Sequence, residues 1–176
     1  QIRLALFLPK SDGKVPVILA LNKCGNQTVT NIKEVTAYND RLLHNYCAKQ
    51  IDKQDGDTPE SIRGIKKDFW ALDSLFNRGY GFATFHESDI GADIDTLNQG
   101  IFPFYPELDN EHGWKLISAW SWGLQRAIDY LHSDELIDTN KIIPFGHSRR
   151  GKTALLTAAL DERVDMVVPH QSGTVG

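Results

Sequence analysis

The sequence predicts a largely parallel β-sheet with helices on both faces, a three-layer α/β/α arrangement. Apolar runs of strand length alternate along its 176 residues with segments of helical periodicity, in the order β, β, α, β, α, β, α, β. Parallel strands need a crossover between them, and the intervening helices supply it. In such sheets ligands bind beyond the carboxyl ends of the strands. Functional residues are therefore expected after Leu21, Phe85, Phe145 and Val168.

The strands are predicted from short apolar runs bounded by turn residues. Asp12-Gly13 lies between the first two runs and is a hairpin turn signal, so a hairpin is expected there. The predicted strands are residues 4–8, 15–21, 80–85, 141–145 and 164–168.

The helices are predicted from apolar periodicity and from capping signals. Thr58-Pro59 provides a cap and a first turn, and Gly79 follows the end, so a helix is expected over residues 61–77. A third helix is expected over Arg149–Leu160. Between them, a second helix is indicated by one apolar stripe with spacings of three and four: Ile117, Trp120, Leu124, Ile128 and Leu131.

Composition and charge limit the class of function. The chain is 41% hydrophobic and 24% charged, which excludes the disordered and collagen-like classes. The net charge is −4 and there is no basic tract, so no nucleic-acid partner is expected. No apolar run reaches the length of a membrane helix, so no membrane partner is expected. Cys24 and Cys47 are compatible with two unrelated thiols or with a disulfide.

Residues 146–153 read Gly-His-Ser-Arg-Arg-Gly-Lys-Thr and satisfy two different patterns. As G-x-x-x-x-G-K-[ST], they match a phosphate-binding P-loop. As G-x-S-x-x-G between a strand and a helix, they are close to a nucleophile elbow, the sharp turn that exposes a catalytic serine. Both motifs require strand, turn and helix in that order, so the order of elements does not separate them.

The elbow explains more of these residues than the P-loop does. A P-loop needs a carboxylate at the end of another strand to help hold magnesium, but Pro169-His170 follow the last predicted strand. In an elbow, Gly146 and Gly151 allow strand and helix to approach closely, and Ser148 stands at the apex. The amide of Arg149 can then point at a developing oxyanion. Ser148 is the predicted nucleophile, and nucleotide binding is the remote alternative.

Five segments, in order along the chain, match motifs of one known family. Residues 21–28 look like an N-x-x-G-N-H-T loop, and residues 146–152 look like an elbow that reads G-[CH]-S-R-x-G-K. The other matches are residues 79–84 with 89–90, 119–124 with 129–131, and 160–163 with 172–173. On these segments the chain resembles the glucuronoyl esterases of carbohydrate esterase family fifteen.

The resemblance implies an α/β-hydrolase fold and a serine esterase that uses no cofactor or metal. Such enzymes cleave esters between lignin alcohols and the glucuronic or 4-O-methylglucuronic acid side groups of xylan. By position, Ser148 is the nucleophile, Arg149 contributes to the oxyanion hole through its amide and guanidinium, and Lys152 binds the sugar. The implied substrate is a lignin–carbohydrate ester or glucuronoxylan, and the implied location is extracellular or periplasmic. Another carbohydrate esterase, such as an acetylxylan esterase, is the alternative enzyme.

A histidine base and an acid that orients it are expected outside these residues. The triad order is serine, acid, histidine, and His170 lies in the family's acid region rather than where its base lies. Many of these esterases carry a glutamate where this sequence has Gln171, and a neutral amide cannot stabilise an imidazolium as a carboxylate does. Both partners of Ser148 are therefore expected beyond Gly176. Otherwise the protein is an impaired hydrolase that binds polysaccharide.

Residues 1–176 are accordingly predicted to be the N-terminal part of one α/β-hydrolase catalytic domain that continues beyond both ends. Gln1 already stands in what reads as a strand, and residues 172–176 have the composition of a loop. By length alone the chain would suit a complete domain. Because the triad is incomplete in it, this part alone is expected to be inactive.

The segment after Phe85 is rich in titratable groups, among them His86, Glu87, Asp89, Asp93 and Asp95. Their spacing does not fit the ligand positions of an EF-hand loop. A solvated acidic loop is therefore expected there in preference to a calcium site.

Overall fold

A computed structural model describes residues 1–51, 58–108 and 112–173 of the chain. Its strands are β1 (Ala5–Phe7), β2 (Val15–Asn22), β3 (Gly81–His86), β4 (Ile137–His147) and β5 (Val168–His170). They form one sheet in the order β1-β3-β2-β4-β5. All neighbours in it are parallel except β1, which runs antiparallel to β3. The predicted, mostly parallel sheet is confirmed.

Two long helices and several short ones accompany the sheet. The α-helices are α1 (Asn45–Ala48), α2 (Lys67–Trp70), α3 (Leu72–Phe76), α4 (Leu116–Ser133) and α5 (Arg149–Leu160). The 3-10 helices are Asn26–Val29, Pro59–Ile62, Glu87–Asp89, Phe102–Phe104 and Pro106–Leu108. The helices predicted along residues 117–131 and 149–160 are confirmed as α4 and α5. Within the described ranges, no helix has the length and apolar character needed to cross a bilayer.

The helices cover both faces of the sheet. On one face, Trp120 of α4 is completely buried in the same cluster as Leu19 of β2 and Phe85 of β3. On the other face, Trp70 of α2 packs against Phe82, with their ring centres 4.9 Å apart. Each large apolar side chain removed from water in this way contributes about 1.5–3 kcal/mol. The predicted three layers are therefore present, and the sheet forms the middle one.

The prediction of a hairpin between the first two strands is wrong. β1 pairs with β3, where Ala5 lies opposite Thr84, and β2 lies between β3 and β4. The connection from β1 to β2 runs over residues 8–14. It is longer than the two-residue loop that a tight hairpin at Asp12-Gly13 would need. This length lets the chain pass the end of β3 and enter the sheet on its other side.

The single helix predicted over residues 61–77 is also wrong, because the chain forms a 3-10 turn followed by α2 and α3. Gly64 has φ +70° and Ala71 has φ +46°, and such left-handed residues end a helix. The amide of Gly64 donates to the carbonyl oxygen of Gln27 at 2.9 Å. A hydrogen bond to the loop after β2 thus replaces one within the helix.

The last two strands have other bounds than predicted. β4 begins at Ile137 rather than at residue 141. The strand predicted over residues 164–168 is found at Val168–His170, where three residues pair with β4. Before it, the amide of Val164 donates to the carbonyl oxygen of Asp161 at 3.1 Å, so the chain is still in a turn there.

A disulfide joins Cys24 to Cys47, so of the two alternatives for the cysteines the disulfide is confirmed. Their Cα atoms are 5.4 Å apart, and both residues are buried in one cluster with Ile62. The bond ties the loop after β2 to α1. It therefore fixes the chain directly beyond the carboxyl end of a central strand.

Loss of this disulfide should destabilise the fold. The bond closes a sequence separation of 23 residues, for which loop-closure entropy gives about 3 kcal/mol. Guanidinium unfolding of the Cys24→Ser, Cys47→Ser double variant should show a free energy of unfolding lower by that amount. A reducing agent should bring the wild type to the same value and leave the variant unchanged. Equal stability of the oxidised wild type and the variant would contradict this expectation.

Candidate active site

A sharp turn between β4 and α5 consists of Ser148 alone. β4 ends at His147 and α5 begins at Arg149. Ser148 has φ +58° and ψ −124°, a backbone region that costs a non-glycine residue about 1–3 kcal/mol. The residue is exposed at the carboxyl edge of the sheet. Such a strained turn, with its side chain above the sheet, has the geometry of a nucleophile elbow.

The close approach of β4 and α5 explains the two glycines that flank Ser148. A Cβ atom on Gly146 would overlap the backbone carbonyl group of Arg150. A Cβ atom on Gly151 would lie 2.9 Å from the carbonyl oxygen of Gly146 and 3.0 Å from Cβ of Ser172. The predicted reason for these glycines, room for strand and helix to meet, is confirmed.

The P-loop alternative is wrong, because there is no loop of the required length. Gly146 lies within β4, while Lys152 and Thr153 lie within α5, so that one residue connects the two elements. A P-loop needs several consecutive residues whose amides surround a phosphate group.

The first turn of α5 offers hydrogen-bond donors beside Ser148. The first amides of a helix have no partner within it, and the helix dipole adds a partial positive charge at this end. The amide of Arg149 follows Ser148 directly. The amide of Ser148 itself donates to the carbonyl oxygen of His170 at 3.0 Å and so belongs to the sheet. This arrangement can stabilise negative charge on an oxygen atom bound next to Ser148.

Four charged side chains beneath the turn, Glu87, Asp93, Arg149 and Arg150, form a connected group that we name the elbow cluster. Arg150 donates to Glu87 through Nε at 2.6 Å and through Nη2 at 2.5 Å. Its Nη2 also donates to Asp93 Oδ2 at 3.1 Å, and Arg149 Nη1 donates to Asp93 Oδ1 at 2.5 Å. The Arg150 guanidinium lies 5.1 Å from the centre of the Trp120 ring. The cluster therefore joins α5 to the segment that follows β3.

Burial and pairing set the electrostatics of the elbow cluster. Burial opposes the charge of Arg150, but the carboxylates of Glu87 and Asp93 raise the pKa of this guanidinium above its usual value. Burial raises the pKa of Glu87 to about 7, and the charge of Arg150 opposes that rise. When Glu87 is ionised, the two carboxylates and the two guanidinium groups of the elbow cluster carry no net charge.

The prediction of a solvated acidic loop is wrong for the residues closest to β3. His86, Glu87 and Asp89 are 7%, 1% and 6% exposed. Arginines neutralise these carboxylates, since Arg41 Nε donates to Asp89 at 3.0 Å just as Arg150 donates to Glu87. Across the described parts of the chain, no three His, Cys, Asp or Glu side chains are placed to hold a metal ion.

Lys152 lies one turn after Ser148 on α5. Its amide donates to the carbonyl oxygen of Ser148 at 3.1 Å, and residues four apart stand on the same side of a helix. The residue is half-buried. The structure thus brings the three predicted site residues, Ser148, Arg149 and Lys152, to one edge of the sheet.

A cavity of about 240 Å³ opens at the carboxyl ends of β2 and β4. On its wall, Tyr46 lies between Lys23 and Lys66, whose Nζ atoms are each 4.4 Å from the centre of its ring. Burial and the nearby Arg150 lower the pKa of Lys23. This wall is cationic and aromatic, which suits a polar ligand with a negative charge.

Within the described residues, no hydrogen bond joins Ser148 Oγ to a histidine or a carboxylate. His147 Nε2 instead lies 2.8 Å from Gln171 Oε1. The rings of His147 and His170 are 5.2 Å apart. Gln171 has φ +47°, so the chain turns sharply directly after β5.

Sequence reasoning missed Glu87, Asp93 and Arg150 as parts of the site. The elbow pattern places no requirement on the position of Arg150, and the two carboxylates looked like parts of a polar loop. One signal was available, because Glu87 directly follows β3 at the edge where ligands bind. Buried carboxylates at a strand end need cationic partners, and Arg150 supplies the charge.

A mostly parallel sheet between two helical layers, with a serine at a sharp strand-to-helix turn, defines an α/β-hydrolase. The family model described as glucuronyl esterase, fungi, matches residues 52–176. Carbohydrate esterase MZ0003, from an unknown prokaryotic organism, is 35% identical over 179 residues, which cover 98% of this chain and 40% of that protein. The 4-O-methyl-glucuronoyl methylesterase of Hypocrea jecorina is 34% identical over 100 residues, 56% of this chain and 22% of that protein. The chain belongs to the glucuronyl esterase family.

Solved structures give the same result. A CE15 esterase from a marine bacterial metagenome superimposes with a TM-score of 0.80 at 32% identity, covering 98% of this chain and 44% of its own. A glucuronoyl esterase from Solibacter usitatus gives a TM-score of 0.82 at 29% identity, covering 99% of this chain and 44% of its own. The predicted family and fold are confirmed. The chain spans between 40% and 44% of the length of the three relatives that match it almost throughout.

Replacement of Gly146 by alanine should prevent correct formation of the elbow. The added Cβ atom meets backbone of Arg150, which cannot move without shifting α5. Thermal unfolding should show a loss of more than about 2 kcal/mol or no folded protein. Gly13→Ala is the matched control, since nothing lies within 4 Å of a Cβ atom there. Equal stability of the two variants would refute the close contact between β4 and α5.

His86 should make stability fall in mild acid. Its Nε2 lies 3.2 Å from the carbonyl oxygen of Lys23, and burial lowers its pKa to about 4. Between about pH 6.5 and pH 4 the unfolded chain binds a proton at His86 that the folded protein does not. The contribution of His86 to the free energy of unfolding, present above about pH 6.5, is therefore lost as the pH falls. Urea unfolding should show that the stability difference between the wild type and His86→Asn changes by about 3 kcal/mol over this range. Parallel pH profiles for the two proteins would contradict the expectation.

Proposed function

We propose that the protein is a serine esterase that hydrolyses esters of glucuronic or 4-O-methylglucuronic acid. The observation that carries the proposal is the strained, exposed Ser148 between β4 and α5. Membership in the glucuronyl esterase family supports a uronate ester as the substrate class. Because the relatives are more than twice as long as this chain, the residues that complete the active site are proposed as well.

The proposed reaction passes through an acyl-enzyme. Ser148 Oγ attacks the ester carbonyl carbon and gives its proton to a base, and the carbonyl electrons move to the oxygen. When this tetrahedral intermediate collapses, the bond to the alcohol breaks and the alcohol leaves with the proton. Water then attacks the acyl-enzyme in the same way and releases the free uronate and Ser148.

Arg149 is the proposed oxyanion donor. Its amide is the first of α5, and the helix dipole favours negative charge beside it. Its guanidinium carries further N–H donors and a permanent positive charge. Lys152, one turn further along α5, is proposed to bind hydroxyl groups of the sugar. Together with the lysines on the cavity wall, it makes this edge cationic, which suits a uronate product.

The base and the acid are proposed to come from the part of the protein that follows Gly176. His170 presents its backbone carbonyl group to Ser148, and His147 is engaged with Gln171. In the α/β-hydrolase order, the acid and the histidine follow the nucleophile along the chain. The greater length of the relatives supports this assignment.

The natural substrate is proposed to be an ester between a lignin alcohol and a glucuronic acid side group of xylan, and the protein is proposed to be secreted. Such polymers lie outside the cell that degrades them. The disulfide between Cys24 and Cys47 supports an oxidising compartment, since such bonds are rare in the cytosol.

A second candidate function is the binding of glucuronoxylan without hydrolysis. Gln171 favours it, because this neutral amide contacts His147 of the elbow at the position where the sequence resemblance implies a carboxylate. In this case the elbow would retain its shape and the edge its positive charge, but no imidazolium at Ser148 could be stabilised from this position.

Replacement of Ser148 by alanine separates the two functions in the full-length protein. Release of benzyl alcohol from the benzyl ester of glucuronic acid should fall by about 10⁴-fold or more, since the nucleophile is removed. Binding of glucuronate, measured by calorimetry, should change less than about 3-fold because one hydroxyl group is lost.

Ser133→Ala is the matched control, because Ser133 is an exposed serine on α4. This variant should retain full activity. Activity that survives in Ser148→Ala would show that another residue is the nucleophile. A wild-type protein that binds glucuronoxylan oligosaccharides and releases no alcohol would establish the second candidate function.

A further inference from the structure

Arg149 is the one exposed member of the elbow cluster. Its side chain is 53% exposed, against 2% for Asp93, 10% for Arg150 and 1% for Glu87. An exposed arginine samples many rotamers, and fixing one of them costs up to about 2 kcal/mol of side-chain entropy. A guanidinium that serves an oxyanion therefore acts best when another group already holds it in place.

We propose that Asp93 is the positioning residue that holds the Arg149 guanidinium for the oxyanion; the inference rests on the proposed esterase function. Asp93 Oδ1 accepts a hydrogen bond from Nη1 of Arg149 at 2.5 Å. Charge-assisted bonds of this kind are about twice as strong as neutral ones. Asp93 does not touch the reacting atoms in this assignment. It acts through Arg149.

Asp93 is suited to this task because it is itself fixed. Its Oδ2 atom accepts a hydrogen bond from Nη2 of the buried Arg150 at 3.1 Å, and Arg150 is held by both oxygens of Glu87. Nε2 of His44 lies 3.6 Å from the same Oδ2 atom. A continuous series of contacts thus runs from the end of β3 through Arg150 and Asp93 to Arg149.

The contact leaves donors of Arg149 available for a substrate. A guanidinium has five N–H donors on three nitrogen atoms. In the described residues, the Arg149 side chain donates to Asp93 alone, through Nη1. Nε and Nη2 therefore remain for an oxyanion. The single bond to Asp93 anchors the group at Nη1 and leaves Nε and Nη2 unoccupied within the described part of the chain.

The alternative role for Asp93 is purely structural, as the second partner of Arg150. The two roles predict different measurements. If Asp93 is only structural, its replacement lowers stability, and the effect on kcat is the same whether or not Arg149 is present. If Asp93 positions Arg149, its replacement lowers kcat with little change in KM, and this effect vanishes when Arg149 is absent.

The test is a double-mutant cycle in the full-length protein with the benzyl ester of glucuronic acid as substrate. Asp93→Asn should lower kcat by roughly 10-fold to 100-fold with KM changed less than about 3-fold, since an oxyanion donor is worth about 100-fold to 1000-fold. Arg149→Ala should lower kcat at least as much. The double variant should be no slower than Arg149→Ala within about 2-fold. Losses that multiply in the double variant would overturn the proposal.

Two further variants sharpen the result. Asp95→Asn removes a carboxylate from an exposed residue two positions away and should leave kcat unchanged. Asp93→Glu keeps the charge and should recover part of the activity that Asp93→Asn loses. If Asp95→Asn lowers kcat as much as Asp93→Asn does, general charge loss explains the effect and the proposal fails.

Arg149→Lys tests the proposal without altering Asp93. Lysine keeps the positive charge, but its single nitrogen cannot bond to Asp93 in the geometry of a guanidinium and reach the oxyanion at once. This variant should lose nearly as much kcat as Arg149→Ala, and full activity would overturn the proposal even if Asp93 variants do not fold. Activity retained by Ser148→Ala would instead refute the proposed esterase mechanism, so the two failures are distinguishable.

Discussion

The position of Ser148, the proposed nucleophile, depends on the buried ion pair between Arg150 and Glu87. Removal of a charged group from water costs several kcal/mol unless an opposite charge and good hydrogen bonds replace the solvent. Both oxygens of Glu87 accept from Arg150, so neither residue can be shifted alone without leaving a buried charge unpaired. Because Glu87 directly follows β3 and Arg150 is the second residue of α5, the pair sets the distance between the end of β3 and the first turn of α5, next to Ser148.

The elements that could be predicted from the sequence are those that a local or periodic pattern of residues specifies. α4 was indicated by an apolar stripe, and the structure buries that stripe against the sheet. The segment before β3 carried helix signals as well, but the amide of Gly64 bonds to Gln27 in the loop after β2 instead. Likewise, the pairing of β1 with β3 joins residues far apart in sequence. No short-range pattern reports such contacts.

The same distinction between local patterns and long-range contacts applies to the residues of the candidate site. Ser148, Arg149 and Lys152 lie within five consecutive residues, so one local motif was enough to select them. Glu87 and Arg150 are 63 positions apart, and Asp93 and Arg149 are 56 positions apart. A single sequence shows that these residues are charged but contains no sign that they meet. The carboxylates of the segment after β3 suggested a solvated loop, whereas the fold pairs three of them with Arg41, Arg149 and Arg150.

Folding and the proposed catalysis place opposite demands on the residue in the left-handed backbone at position 148. Glycine would adopt φ +58° without the steric cost that serine bears, so the turn would be more stable with glycine in this place. Glycine has no hydroxyl group, however, and could not act as a nucleophile. At this position the residue that folds best cannot perform the proposed reaction, and the rest of the fold must supply the stability that the serine removes.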